Sequence, residues 1–272
     1  MTITDVFTKD LYKGKTVFIT GGGSGINLGI ARTFASLGAR IGMCGRTQEK
    51  LDAACAELKK DFGVKACGVA ADVRNFPALE VSMQQCQDAL GPMHVLVCGA
   101  AGNFPCPAEV LSPNGFKSVI DIDLLGSFYS CRAAFPQLQQ TRGSIIFISA
   151  GQAFLPYAMQ CHVGAAKAGI DNLMKNLALE WGRHGIRCNS VAPGPIEGTE
   201  GVKRLLPENA KEKMIEAIPL QRLGSVEDIG SVCAYLASPI ATYITGTVIV
   251  ADGGQNLPGS GYLTHVMMSA MG

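Results

Sequence analysis

Surplus charge of either sign is what this chain most clearly lacks. Its 23 lysines and arginines against 22 aspartates and glutamates leave a net charge of +1 over 272 residues. With no basic stripe either, that balance excludes the electrostatic footprint of a nucleic-acid binder. No apolar run reaches the roughly 20 residues that a membrane-spanning helix needs. The start, Met1 to Lys13, is polar and has no apolar signal core, so a cytosolic protein is expected. The carboxyl end, Met268-Ser269-Ala270-Met271-Gly272, is not a peroxisomal tripeptide, which favours a bacterial-type cytoplasmic location over a peroxisomal one. The 10 cysteines are scattered, and no pair has the two-residue gap of a zinc site. Reduced, structural thiols are the reading that fits. His94, His184 and His265 have no ligand spacing, and no metal is assigned.

What the chain does have is apolar material, at 47% hydrophobic and 17% charged. That suffices for one large α/β domain with a full core. No repeat, low-complexity tract or linker divides residues 1–272, which are read as a single domain.

The organising stretch is Thr16 to Ile26. Thr16-Val17-Phe18-Ile19-Thr20 reads as a strand, Gly21-Gly22-Gly23-Ser24-Gly25-Ile26 as a sharp turn, and the residues up to Leu37 as an amphipathic helix. Glycines admit a phosphate close to the backbone, and the helix start points free N–H groups and its positive dipole end at it. Strand, turn and helix together indicate a dinucleotide site, where the glycines alone would not. Six further short apolar runs follow, at 39–44, 65–70, 94–98, 144–149, 186–192 and 247–250, separated by helical periodicity at 48–61, 77–90, 116–138, 160–181 and 226–236. Such alternation predicts a doubly wound (Rossmann) parallel sheet of about seven strands, with helices on both faces and ligands beyond the carboxyl ends of the strands. Residues 193–219 have scattered Pro and Gly and no clean period, and read as a mobile substrate flap.

The exit of the second strand normally meets the adenosine ribose, where an acidic residue selects NAD. Here it is Gly45-Arg46, with no carboxylate, so NADP is favoured, with Arg46 on the 2′-phosphate rather than simply solvated. Asp72, after the third strand, is placed either to accept from the adenine amino group or to serve its own turn.

Thr20 to Ile26, Asp72-Val73, Lys167, Asn189-Ser190-Val191-Ala192-Pro193-Gly194 and Asp252-Gly253-Gly254 resemble the short-chain dehydrogenase/reductase family over nearly the whole chain. Asn27 stands where that family commonly has its last glycine. The family's usual carbonyl chemistry uses a tyrosine, a serine and an asparagine; counted from Lys167, those positions hold Val163, Ala150 and Asp123. Ser149 and Tyr157 are near but off register, and Ser149 would point to the other face of the sheet.

These departures, with Ala100-Ala101-Gly102-Asn103-Phe104, His162 and the 194–201 and 219–224 segments, resemble the peroxisomal-type 2,4-dienoyl-CoA reductases. The resemblance implies NADPH-dependent reduction of dienoyl thioesters to 3-enoyl thioesters, in which an aspartate and a lysine replace the tyrosine. It makes Asp123 the residue that positions a proton-delivering water, the alternative being a carboxylate that only caps or is buried. It makes Lys167 the ligand of the nicotinamide ribose. It further implies cofactor contacts at Gly21, Gly23, Ser24, Gly25, Ile26, Arg46, Asp72, Val73, Ala100, Lys167, Pro193, Gly194 and Ile196. For the acyl-CoA substrate it implies Arg46, Arg74, Phe104 and Arg204. His162 is read as a packing or helix-start residue. The family also implies a homotetramer, and the run Ile170, Leu173, Leu177, Ala178 is the expected pairing face. Two other readings are a family reductase acting on another activated double bond or carbonyl, and a catalytically silent NADP-binding protein.

Overall fold

Seven parallel strands lie in the order β3-β2-β1-β4-β5-β6-β7 in the computed structural model, which describes residues 3–199 and 211–258. The strands are β1 Thr16–Thr20, β2 Arg40–Gly45, β3 Ala66–Ala70, β4 Met93–Cys98, β5 Ser144–Ile148, β6 Arg187–Pro193 and β7 Val248–Ala251. Chain order reverses between β1 and β4, which opens a crevice beyond their carboxyl ends. All seven expected strands are present, within two residues of their expected ends.

Successive residues of a strand face opposite layers, and the core divides accordingly. Val17, Ile19, Ile41, Val97 and Ile146 join one cluster, while Phe18, Cys44, Leu96, Cys98 and Phe147 join the other. The helices, in chain order, are α1 Ile3–Val6, α2 Gly25–Ser36, α3 Gln48–Phe62, α4 Phe76–Leu90, α5 Pro113–Val119, α6 Gly126–Thr141, α7 Cys161–Trp181, α8 Lys211–Ala217 and α9 Val226–Ala237. Ile30 and Phe34 of α2 and Ile229 of α9 pack on the first face; Leu79 of α4, Cys131 of α6 and Met174 of α7 pack on the second.

Three expectations need correction. The single helix expected at 116–138 begins earlier, where Pro113 follows the capping Ser112, whose hydroxyl accepts from Gly115 N–H at 3.0 Å. That helix is also interrupted by a π-helical stretch, Ile120–Leu125, between α5 and α6. Second, the substrate flap is not without regular structure, because α8 lies within it and Ile196 bridges to Gly224 beside it. Third, Ile170, Leu177 and Ala178 are buried in their own chain's core, so they are not an outward pairing face. The apolar side chains left outside on these helices are Phe128 and Leu179, with Leu125 just ahead of α6.

All 10 cysteines are free, and the buried Cys98 and Cys131 sulfurs stand 3.8 Å apart, far beyond the ~2.05 Å of a disulfide. Burial pushes the Cys44 and Cys188 thiols up to about 12, so they stay neutral at physiological pH. Among the described residues no helix is long and apolar enough to cross a membrane.

Candidate active site

A cleft of about 970 Å³ lies over the strand exits. It gathers nearly every residue expected on the cofactor: Gly21, Gly23, Ser24, Gly25 and Ile26 after β1, Arg46 after β2, Asp72 and Val73 after β3, Ala100 after β4, and Pro193, Gly194 and Ile196 after β6. Lys167 reaches it from α7.

The turn after β1 fits a diphosphate. Gly21 has φ +70°, and a Cβ there would stand 3.1 Å from Ala100 Cα, so only glycine keeps this approach. Ser24 is the residue before α2, yet its side chain makes no capping hydrogen bond. The first N–H groups of α2 are therefore left for an anion in the cleft. At the rim, Arg46 is exposed and makes no ion pair among the described residues. Lys50 of α3 lines the same rim, a second cation that sequence reading did not single out.

Asp72 serves its own turn, one of the two roles open to it in the sequence, while still lining the cleft. Its carboxylate accepts Arg74 Nη2 at 2.6 Å and Nε at 3.0 Å, so the two expected ligands are bound to each other. The Arg74 guanidinium holds the Asp72 carboxyl below its usual range despite partial burial. A pair two residues apart in one turn forms because Asp72 also accepts from Arg74 N–H, an Asx turn that brings the side chains together.

The chemical centre is built by the π-helical stretch. π-turns inside helices recur at functional sites because the extra residue redirects a side chain. Here the stretch directs Asp123 inward, where it is 0% exposed. Oδ1 accepts Gly102 N–H at 2.7 Å, and Oδ2 lies 3.1 Å from Lys167 Nζ. Lys167 Nζ also donates to Ile148 O at 3.0 Å, and the residue as a whole is 6% exposed. A charge buried so deeply requires a partner, and each is the other's. Around them, Val163 is buried in an apolar cluster with Val119 and Ala166, and Ala150 lines the cleft. Neither side chain can donate a proton or hold a carbonyl oxygen.

The remaining candidates divide. Ser149 is buried in the wall of the cleft, with its hydroxyl beside Asp171 of α7. Tyr157 does line the cleft, with its hydroxyl donating to Asn256 Oδ1 at 2.6 Å. Asn256 is in turn held by Asp252, through Nδ2 at 2.7 Å and backbone N–H at 2.9 Å. Nothing in the local sequence signalled this link, because its members lie 99 residues apart. His162 packs against the Phe104 ring, centroids 4.5 Å apart, and bonds its carbonyl at 3.0 Å, a structural role as expected. Phe104 thereby sits against α7 beside Val163 and Ala166. Arg204 lies outside the described residues.

A parallel sheet with an anion-binding turn at its switch point, opening onto a buried lysine–carboxylate pair, defines a dinucleotide-dependent oxidoreductase. A family model described as enoyl-(acyl carrier protein) reductase matches residues 21–256. The peroxisomal, (3E)-enoyl-CoA-producing 2,4-dienoyl-CoA reductase of Saccharomyces cerevisiae is 47% identical over 248 residues, 90% of this chain and 85% of the yeast protein. Its namesake from Pongo abelii is 42% identical over 251 residues, 92% of this chain and 86% of the relative. Among solved structures, a gluconate 5-dehydrogenase from Burkholderia cenocepacia in complex with NADP and tartrate superposes with a TM-score of 0.85 at 25% identity, over 92% of this chain and 98% of that one. The chain belongs to the short-chain dehydrogenase/reductase family.

Proposed function

We propose that this protein uses NADPH to reduce 2,4-dienoyl-CoA thioesters to 3-enoyl-CoA, an auxiliary step in the oxidation of unsaturated fatty acids. The observation that carries the reading is the buried Asp123–Lys167 pair, at 3.1 Å, beside two side chains, Val163 and Ala150, that cannot serve a carbonyl reduction. The names of the yeast and Pongo abelii relatives support the same substrate class.

NADPH, when bound, supplies the hydride. Hydride addition at C5 of the dienoyl group moves the electron pair to the thioester oxygen, as a dienolate. Protonation at C2 then restores the thioester carbonyl and leaves the C3–C4 double bond. Such a reaction needs positive charge near the oxygen and a proton source at C2, but no acid for an alkoxide. Lys167 carries the charge and orients the nicotinamide ribose. Asp123, fixed by Gly102 N–H, orients a water that gives its proton to C2 and regains one from solvent. Arg46 and Lys50 accept the 2′-phosphate of NADPH; Arg46 also meets the CoA phosphates, together with Arg74 and Arg204. Phe104 borders the acyl channel. The family's two long helices join copies into a tetramer through the exposed Leu125, Phe128 and Leu179 region.

Purified protein incubated with NADPH and 2,4-hexadienoyl-CoA tests this directly. Dienoyl absorbance should fall in step with NADPH. Binding of NADPH without turnover would favour a silent binding protein, and turnover only with simple carbonyls would place it elsewhere in the family.

A further inference from the structure

Asn27, on α2, stands at a position where the family commonly has glycine, and the structure shows what it does there. Its Nδ2 donates to two carbonyls on different turns: Gly99 O after β4, at 2.9 Å, and Gly21 O after β1, at 3.3 Å. These are the two turns that flank the crevice where strand order reverses. Thr20 makes the complementary link, its Oγ1 accepting the N–H groups of Gly99 and Ala100 at 3.0 and 3.1 Å. The β1 side therefore grips both the N–H and the C=O of the β4 exit turn.

Asn27 and Gly99 are also a matched pair sterically. Asn27 Oδ1 is buried without a hydrogen-bond partner and lies where a Gly99 side chain would stand. A Cβ on Gly99 would stand 2.6 Å from Asn27 Cγ and 2.9 Å from Nδ2, closer still to Oδ1. The amide could retreat only by breaking the two carbonyl bonds that hold it. Gly21 is under the same restraint, since a Cβ there would be 3.0 Å from Asn27 Nδ2.

We propose that Asn27 is a positioning residue for the nicotinamide dinucleotide, coupled to Gly99. By fastening the phosphate turn to the β4 exit turn, it sets the free N–H groups at the start of α2 in one arrangement before the diphosphate arrives. This rests on the reading of the cleft as a dinucleotide site. A side-chain amide thereby does the joining where close glycine packing would otherwise serve.

The test is a double-substitution cycle read by NADPH fluorescence titration of the free protein, alongside its melting temperature. Asn27→Asp keeps the shape but turns an acceptor toward two carbonyls. It should raise the NADPH dissociation constant about tenfold, the scale of one net hydrogen bond lost. At saturating NADPH, kcat and the KM for dienoyl-CoA should hold, while the KM for NADPH rises. Gly99→Ala should weaken NADPH binding in the Asn27 protein and have little effect in an Asn27→Gly background, where the clash is gone. Asn27→Gly restores the residue common in the family and so keeps the cycle measurable should Asn27→Asp fail to fold. Equal effects of Gly99→Ala in both backgrounds would overturn the coupling, as would unchanged NADPH affinity in both Asn27 variants. A parent protein that binds neither NADPH nor NADH would instead overturn the dinucleotide reading, and this inference with it.

Discussion

Asp123→Asn is the most informative single change, because it separates charge from shape. The native carboxylate is 0% exposed, accepts Gly102 N–H at 2.7 Å and lies 3.1 Å from the Lys167 ammonium. An asparagine can keep the first contact through its Oδ1 but removes the negative charge from Lys167. Either variant leaves the Lys167 charge unpaired, at a cost of about 3–5 kcal/mol of stability, and truncation to alanine also leaves Gly102 N–H without its acceptor. The asparagine variant should therefore melt between the parent and Asp123→Ala. General acid–base groups contribute on the order of a hundred- to ten-thousand-fold, and both variants should lose turnover within that range. Affinity for NADPH should remain nearly intact in both, since Asp123 is not assigned to the cofactor. Lys167→Ala should lose cofactor affinity as well as turnover. The assay is steady-state reduction of 2,4-hexadienoyl-CoA with NADPH deuterated at the transferred position, so that an isotope effect reports whether chemistry limits the rate. An Asp123→Ala enzyme with undiminished, chemistry-limited turnover would remove the carboxylate from the mechanism. The proton relay would then pass to Tyr157 or to a water on Lys167.

Three further outcomes are expected. Arg46→Asp should weaken NADPH binding far more than NADH binding in fluorescence titration; equal losses would detach Arg46 from the 2′-phosphate. Light scattering at micromolar concentration should give a tetramer, with Phe128→Glu on α6 shifting it to smaller species, whereas a monomeric parent would refute the assembly. Asp228, in the capping box of α9, is held at about 2 by the Arg222 guanidinium and the Ser225 N–H despite partial burial. Because its folded value lies below the roughly 3.9 of an unfolded aspartate, its contribution is complete above that value and is lost as pH falls toward 2. The melting temperatures of parent and Asp228→Asn should thus differ at pH 6 and converge through pH 4 to 2; a constant gap would show that the charge is not what Asp228 contributes.

The sheet was legible because each buried parallel strand is a short apolar run closed by a turn, and such runs leave few alternatives. The cofactor turn was legible for the same reason, as strand, glycines and helix follow one another in the chain. The π-helical stretch at Ile120–Leu125 was not, because one extra residue in a helix barely disturbs side-chain periodicity. Yet that stretch carries Asp123, whose candidacy came instead from counting back from Lys167 within the family pattern. Ile170 and Leu177 misled because α7 is apolar both toward its own sheet and at outlying positions such as Leu179, and composition does not distinguish the two. The turn role of Asp72 was legible as one of two, but its ion pair with Arg74 was not, because only the Asx-turn geometry brings the two side chains together. Asn27 was visible only as a departure; its meaning required the two carbonyls, Gly21 and Gly99, that lie on separate turns.

The central claim is that a buried aspartate–lysine pair lets a water protonate a dienolate at C2. Running the reaction on 2,4-hexadienoyl-CoA in heavy water, with unlabelled NADPH, tests it most directly. The account predicts a 3-enoyl product carrying one solvent deuterium at C2, with the cofactor's hydrogen at C5. A 2-enoyl product with its deuterium at C4 would contradict it, because the proton would then have reached the wrong end of the dienolate.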